Sequence, residues 1–326
     1  MKNKAESTQT TPYWKIATVV LLATNLITGA YAVMRQEVNL MRDAPYPLID
    51  PTRNFIPQDD FIVNLQPLRE ELRAKAREIE EEGARVSLYL EFLNTGANIS
   101  INPDVYIWPA SLAKVPLAMA VMKKVERGEW ELTDKLVLME VDRDIHSGDA
   151  NDPLLEHPLG TRFTIDELLK ELLANSDNTA YRILLRNVHN DDVDEVIQEL
   201  GLGALFTPEG RMSAKEYSRI LRALYTSSFL SREHSQMLLS YLDESSFNDF
   251  LAREIPPDVP FPHKYGENLS LRVFADSGIV YIPKRPYLVS VMVEYPPSRS
   301  QEESAAKARV FMGAVSKSAY EYFSAQ

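Results

Sequence analysis

The sequence predicts an α+β fold with three α-β-α layers. One antiparallel sheet is completed by both ends of the chain and flanked by terminal helices, and an all-helical lobe is inserted between its two halves. Three patterns carry this prediction: strand-like alternation occurs only near the two ends of the long C-terminal part, helical periodicity dominates the stretch between, and an amphipathic helix lies outside each strand region. The opening helix is read from Leu68, Leu72, Ala76 and Ile79, spaced helically among charged residues and ending near Gly83. Val86, Leu88, Leu90 and Phe92 then alternate, Asn94-Thr95-Gly96 makes a turn, and Ile99 and Ile101 lie on the returning strand.

From about 110 to 261 the apolar residues recur with helical spacing. Thr164-x-x-Glu167 and Ser213-x-x-Glu216 are capping boxes that open two of these runs. β-branched and aromatic residues return at 271–274, 278–282 and 287–293, and a last helix over 303–323 carries Phe311, Ala314, Val315 and Tyr322 on one side. The expected organisation of residues 66–326 is therefore a sheet part, 66–109 with 263–326, and a helical lobe, 110–262.

Upstream, residues 16–34 form an uncharged, largely apolar run about as long as the roughly 20 residues that cross a bilayer. Lys2, Lys4 and Lys15 precede it, which keeps residues 1–15 cytoplasmic and sends the rest outward. Ala30-Tyr31-Ala32 also fits a signal-peptide cleavage site. Anchor and cleaved leader both imply an extracytoplasmic protein, membrane-anchored or secreted. Residues 35–65 read as a stalk, because Pro45, Pro47, Pro51 and Pro57 favour extended backbone.

With 35 basic against 47 acidic residues the net charge is −12, which repels phosphate backbones and excludes nucleic acid as a partner. The absence of cysteine excludes disulfides, thiolate nucleophiles and cysteine zinc sites. His146, Asp149 and His157 fall in one acidic stretch without metal-ligand spacing and read as a solvated loop. No metal and no cofactor is expected.

Chemistry is carried by three short motifs. In Pro109-Ala110-Ser111-Leu112-Ala113-Lys114 a serine opens an apolar helix, at the positive end of its dipole, and Lys114 lies one turn behind on the same face. Such a pair makes a serine nucleophile once the lysine loses its proton. Ser176-Asp177-Asn178 follows the amphipathic run 165–173, and Lys264-Tyr265-Gly266 stands at the start of the last strands. A lysine there offers a fixed charge to a carboxylate, and a glycine lets a substrate backbone approach.

In this order the motifs resemble the S-x-x-K, S-D-N and K-T-G set of class A β-lactamases and penicillin-binding proteins. The resemblance extends over about 68–323 and takes in Asn94-Thr95-Gly96, Glu126-Arg127-Gly128-Glu129 and Asp276-x-Gly278-Ile279-Val280. It implies that Ser111 attacks the substrate carbonyl, that Lys114 takes part in removing its proton, and that Ser176 relays a proton to the leaving nitrogen. By the same resemblance Asn178 binds the substrate amide and Lys264, Tyr265 and Gly266 form the substrate-binding strand. The backbone N–H groups of Ser111 and Glu267 complete the oxyanion hole.

Two departures bear on the reaction. The family's omega loop carries a glutamate that activates the deacylating water, yet here only 202–212 separates Gly201 from the helix capped by Ser213, and Glu209 is the sole acidic residue in that gap. Tyr265 stands where the family has threonine or serine. The expected function is acyl-enzyme formation on β-lactams or related D-alanyl peptide amides, with slow deacylation. The alternatives are a DD-peptidase-like penicillin-binding protein acting on peptidoglycan stem peptides, and a non-catalytic, membrane-tethered binder of cell-wall peptide.

Overall fold

Residues 20–26, 28–29, 46–50, 63–143, 152–203 and 210–325 are described by the computed structural model. The chain divides into two units, Met1–Pro47 and Leu48–Gln326. In the first, residues 20–26 and 28–29 are helical. Much of the expected span 16–34 lies outside the described residues, and among those described no helix is long and apolar enough to cross a membrane.

The second unit is built on a five-stranded antiparallel sheet of order β2-β1-β7-β6-β5. Its strands are β1 (Arg85–Phe92), β2 (Ala97–Ile101), β5 (His263–Asn268), β6 (Val273–Val280) and β7 (Tyr287–Glu294). The N-terminal hairpin turns at Gly96, whose φ of +77° suits glycine. It joins the C-terminal strands through β1 and β7, with Leu90 opposite Val289 and Arg85 opposite Glu294. Both ends of the chain thus complete one sheet.

Helices α1 (Gln66–Glu81) and α8 (Gln301–Ser324) cover one face. Leu68, Leu72 and Ala76 of α1 meet Phe311, Met312, Val315 and Phe323 of α8 and the inner residues Val86, Phe92, Val291 and Val293. Phe323 stacks on Phe92 at 5.5 Å and on Tyr287 at 4.7 Å between ring centroids. The spacing read from the sequence therefore selects the core residues of α1, because its charged residues face away.

The helical lobe contains α2 (Lys114–Glu126), α3 (Ile165–Ala174), α4 (Asn178–Asn187), α5 (Asn190–Glu199), α6 (Ala214–Thr226) and α7 (Arg232–Asp243). Val115 through Met122 are all buried, so α2 is the lobe's central post rather than a surface helix. Thr164 caps α3 by accepting from Glu167 N at 3.1 Å, and Glu167 accepts from Thr164 N at 2.7 Å. Ser213 and Glu216 cap α6 in the same reciprocal way. Leu48, at the start of this unit, donates its N–H to Gln236 Oε1 at 2.8 Å and accepts from the Tyr281 hydroxyl at 2.5 Å.

Two local readings change. The lobe is not all-helical: β3 (Lys135–Val137) pairs with β4 (Arg162–Thr164), strands too short to show alternation. The segments expected at 271–274 and 278–282 join in one strand, β6, because Ala275, Asp276 and Ser277 between them keep the pairing with β7. A Cβ on Gly278 would stand 2.5 Å from both His263 Cβ and a ring carbon of Phe261, so glycine is required there by close packing. Lys264-Tyr265-Gly266 lies in β5, the first of the C-terminal strands, as the sequence predicts.

Truncating Leu72, fully buried between α1 and the sheet, to alanine is expected to cost about 2–5 kcal/mol, read from the midpoint of urea unfolding.

Candidate active site

The site is assembled from three pieces of backbone, two of them held in left-handed conformations that non-glycine residues seldom adopt. Ala110 has φ +50° and opens a 3-10 turn, Ala110–Ala113, that runs into α2. Ser176 has φ +57° and lies between the end of α3 and the start of α4. Each costs on the order of 1–3 kcal/mol and persists because the surroundings hold it. Both sit beside Lys114.

Lys114 is 3% exposed. Its ammonium donates to Asn178 Oδ1 at 2.7 Å and Ser176 Oγ at 3.1 Å, with a further short bond to the Ser176 carbonyl oxygen. Three donors thus meet three acceptors, which a buried ammonium requires. The backbone N–H of Lys114 bonds back to the carbonyl oxygens of Ser111 and Leu112, closing the turn that presents Ser111. The hydroxyl of Tyr217, on α6, donates to the same Leu112 carbonyl at 3.1 Å.

The Ser176-Asp177-Asn178 loop is held from beneath. Asp177 caps α4, accepting from Ala180 N at 2.6 Å and from Leu154 N at 2.9 Å. Asp152 accepts from the Asn178 N–H, leaving the Asn178 side chain to face Lys114. Burial pushes the Asp177 carboxyl up to about 6, and the neighbouring Asp152 charge adds to the shift against its two backbone donors and the Lys114 charge.

β5 supplies the third piece. Gly266 packs so closely on the serine turn that a Cβ there would come within 2.8 Å of Ser111 N and 3.1 Å of Pro109 O. The backbones of β5 and the turn can meet only because residue 266 lacks a side chain. Glu267 follows on the same edge strand, half-buried and opposite Phe274.

Lys264 is 1% exposed, and its ammonium donates to the Tyr265 carbonyl oxygen at 2.9 Å. Burial first, and then the charge of Lys114, hold Lys264 well below the ordinary lysine range, against the opposing pull of Asp276. Tyr265 stacks on Phe247 at 3.7 Å with the rings 9° from parallel. Its ring therefore belongs to the aromatic cluster at the strand edge. Behind the strand, His263 and Asp276 pair at 2.9 Å and Leu251 N donates to the other Asp276 oxygen at 3.0 Å.

All the residues that the sequence singled out around the three motifs lie on these three pieces. Sequence reasoning missed Asp152, Tyr217, Phe247 and the His263–Asp276 pair. Asp276 left a trace, as a charge in an otherwise apolar strand; Phe247 left none, being in an irregular loop. Glu209 lies outside the described residues, as do His146 and Asp149. His157 packs edge-on against Phe163 at 5.2 Å, and among the described residues no cluster of three histidines or carboxylates is placed to hold a metal ion.

The model of a family described as the β-lactamase enzyme family matches residues 67–323. The chain belongs to that family. A β-lactamase regulatory protein, BlaB, of Streptomyces cacaoi is 29% identical over 140 residues, 43% of each chain. A β-lactamase of Rhodobacter capsulatus is 33% identical over 110 residues, 34% of this chain and 36% of its own. The matched stretches span less than half the length of these curated relatives.

Among solved structures, a β-lactamase of Sphaerobacter thermophilus superposes with a TM-score of 0.70 at 23% identity, over 81% of this chain and 99% of that one. A variant of PBP-A, solved as an acyl-enzyme complex with penicillin G, gives 0.69 at 20% identity, over 80% and 98%. These likenesses establish the β-lactamase-type fold.

Asp177 makes stability depend on pH with a definite sign. Its carboxyl is raised from 3.8 to about 6, so its contribution is greatest below pH 4 and is lost as pH rises through 6. Between pH 7.5 and 4 the wild type should gain up to about 3 kcal/mol relative to Asp177→Asn, measured as the difference between their urea unfolding free energies.

Proposed function

We propose that the protein is a serine hydrolase that forms an acyl-enzyme on Ser111 with β-lactams or related D-alanyl peptide amides. The observation that carries this reading is the buried ammonium of Lys114, bound to Ser176 and Asn178 one turn behind the serine. A binding module has no use for a desolvated lysine in that place.

The chemistry follows from the arrangement. Two buried lysines repel one another, and the repulsion falls when one releases its proton. Neutral Lys114 accepts the Ser111 Oγ proton as the oxygen bonds to the carbonyl carbon, giving a tetrahedral oxyanion. The backbone N–H groups of Ser111 and Glu267 stabilise that charge, and the close seating of Gly266 on the turn sets the spacing between them. The carbon–nitrogen bond then breaks, and the proton passes from Lys114 through Ser176 to the leaving nitrogen. Water later cleaves the ester and restores Ser111.

The short stretch between Gly201 and Ser213 favours slow release of the acyl group, as in a peptidase-like penicillin-binding protein. The apolar run at 16–34 supports an extracytoplasmic location, tethered through that segment or secreted after its cleavage, with access to cell-wall peptide.

Intact-mass spectrometry after penicillin exposure should show one adduct on Ser111, absent in Ser111→Ala; a wild type that never gains mass sinks the reading. Adduct lifetime separates the two activities: seconds indicate a β-lactamase, many minutes a peptidase-like protein. Lys114→Ala should slow acylation by at least roughly a thousandfold. Gly266→Ala, which pushes β5 off the serine turn, should slow it by about a hundredfold or more and also cost about 1–3 kcal/mol of stability, read from urea unfolding.

A further inference from the structure

The strand residue that departs from the family pattern is tied to Lys264 by geometry. The Lys264 ammonium lies over the Tyr265 ring, 4.3 Å from its centroid, while donating to the Tyr265 carbonyl oxygen at 2.9 Å. Phe247 holds that ring by a near-parallel stack at 3.7 Å, and Phe247 is itself packed edge-on against buried Phe250 at 4.9 Å. Phe250 in turn meets Phe274 of β6 at 6.1 Å. The tyrosine is thus clamped from the core outward, and the lysine beside it is 1% exposed.

We infer that Tyr265, clamped by Phe247, shields Lys264 from substrate carboxylates, so that the enzyme accepts acyl donors lacking a carboxylate nearly as well as those bearing one. The inference rests on Ser111 being the acylated residue and concerns which donors reach it. A carboxylate that approaches Lys264 must displace a cation–π contact and unstack an aromatic pair before it gains its ion pair. A small hydroxyl at position 265 imposes neither loss and adds a hydrogen-bond donor. Tyr265 is on this account a specificity-determining residue, and Phe247 acts through it as a positioning residue.

The test compares benzylpenicillin with its methyl ester, which differ only in that carboxylate. Second-order acylation rates are followed by intact mass in wild type, Tyr265→Thr, Tyr265→Phe and Phe247→Ala. The acid-to-ester rate ratio should rise roughly tenfold to a hundredfold in Tyr265→Thr and move the same way in Phe247→Ala. It should stay at the wild-type value in Tyr265→Phe, which keeps the ring. Ratios that agree within about twofold across all four proteins overturn the inference, as does a wild type that already prefers the acid a hundredfold. The same ratio measured as binding affinity in Ser111→Ala, with and without Tyr265→Thr, is independent of acylation. If wild type takes mass from neither compound, the acyl-enzyme reading fails, and the binding ratio alone then supports or overturns the shield.

Discussion

A lysine ammonium removed from water must find an acceptor for every proton it keeps, and Lys114 is the point around which the helical lobe satisfies that demand. Its stem rises from the central post of the helical lobe, and its acceptors come from one loop, Ser176 and Asn178. That loop can offer a backbone carbonyl, a hydroxyl and an amide oxygen together only because Ser176 turns left-handed and Asp177 immediately starts a new helix. Asp152 and Asp177 accept the backbone donors beneath, which fixes the loop under the lysine. Loop strain, capping and the buried carboxylates are consequences of one cation.

The second lysine shows what the first constrains. Lys264 approaches from the sheet into a volume where one positive charge is already costly, and the electrostatic effect of Asp276 reaches it from the adjacent strand. The proposed serine–lysine chemistry depends on this crowding, since a lysine in open solvent holds its proton at neutral pH. The fold delivers it by pressing a glycine strand against a turn. Gly266 is therefore a steric determinant of the site, because a side chain there would press β5 away from the serine turn.

The parts of this arrangement that were legible in the sequence are those with local signals. Leu68, Leu72 and Ala76 announce a buried helix face by spacing alone, the two capping boxes mark true helix starts, and three short motifs place the reactive groups on one chain in order. The parts that were not legible are contacts between segments remote in sequence and devoid of periodicity. Asp152 meets Asn178 from an irregular segment that precedes β4 and α3. Phe247 reaches Tyr265 from an irregular loop, and nothing in an isolated tyrosine says that its ring will stack there. The break expected between 274 and 278 does not occur, because Asp276 and Ser277, polar residues that hide the strand pattern, are buried within β6.

The pairing of β1 with β7 also has a bearing on how the protein comes into being. Arg85 and Glu294 are neighbours in space but 209 positions apart along the chain. Until β7 exists both edges of the N-terminal hairpin are open, and α1 has no α8 to pack on. Native sheet formation is thereby deferred until nearly the whole polypeptide has been made, a topology that folds slowly and exposes unpaired edges meanwhile. The same delay governs the proposed active site, because the serine turn emerges early and Lys264 late: nearly half of the chain is made after the turn before the strand that packs on it appears.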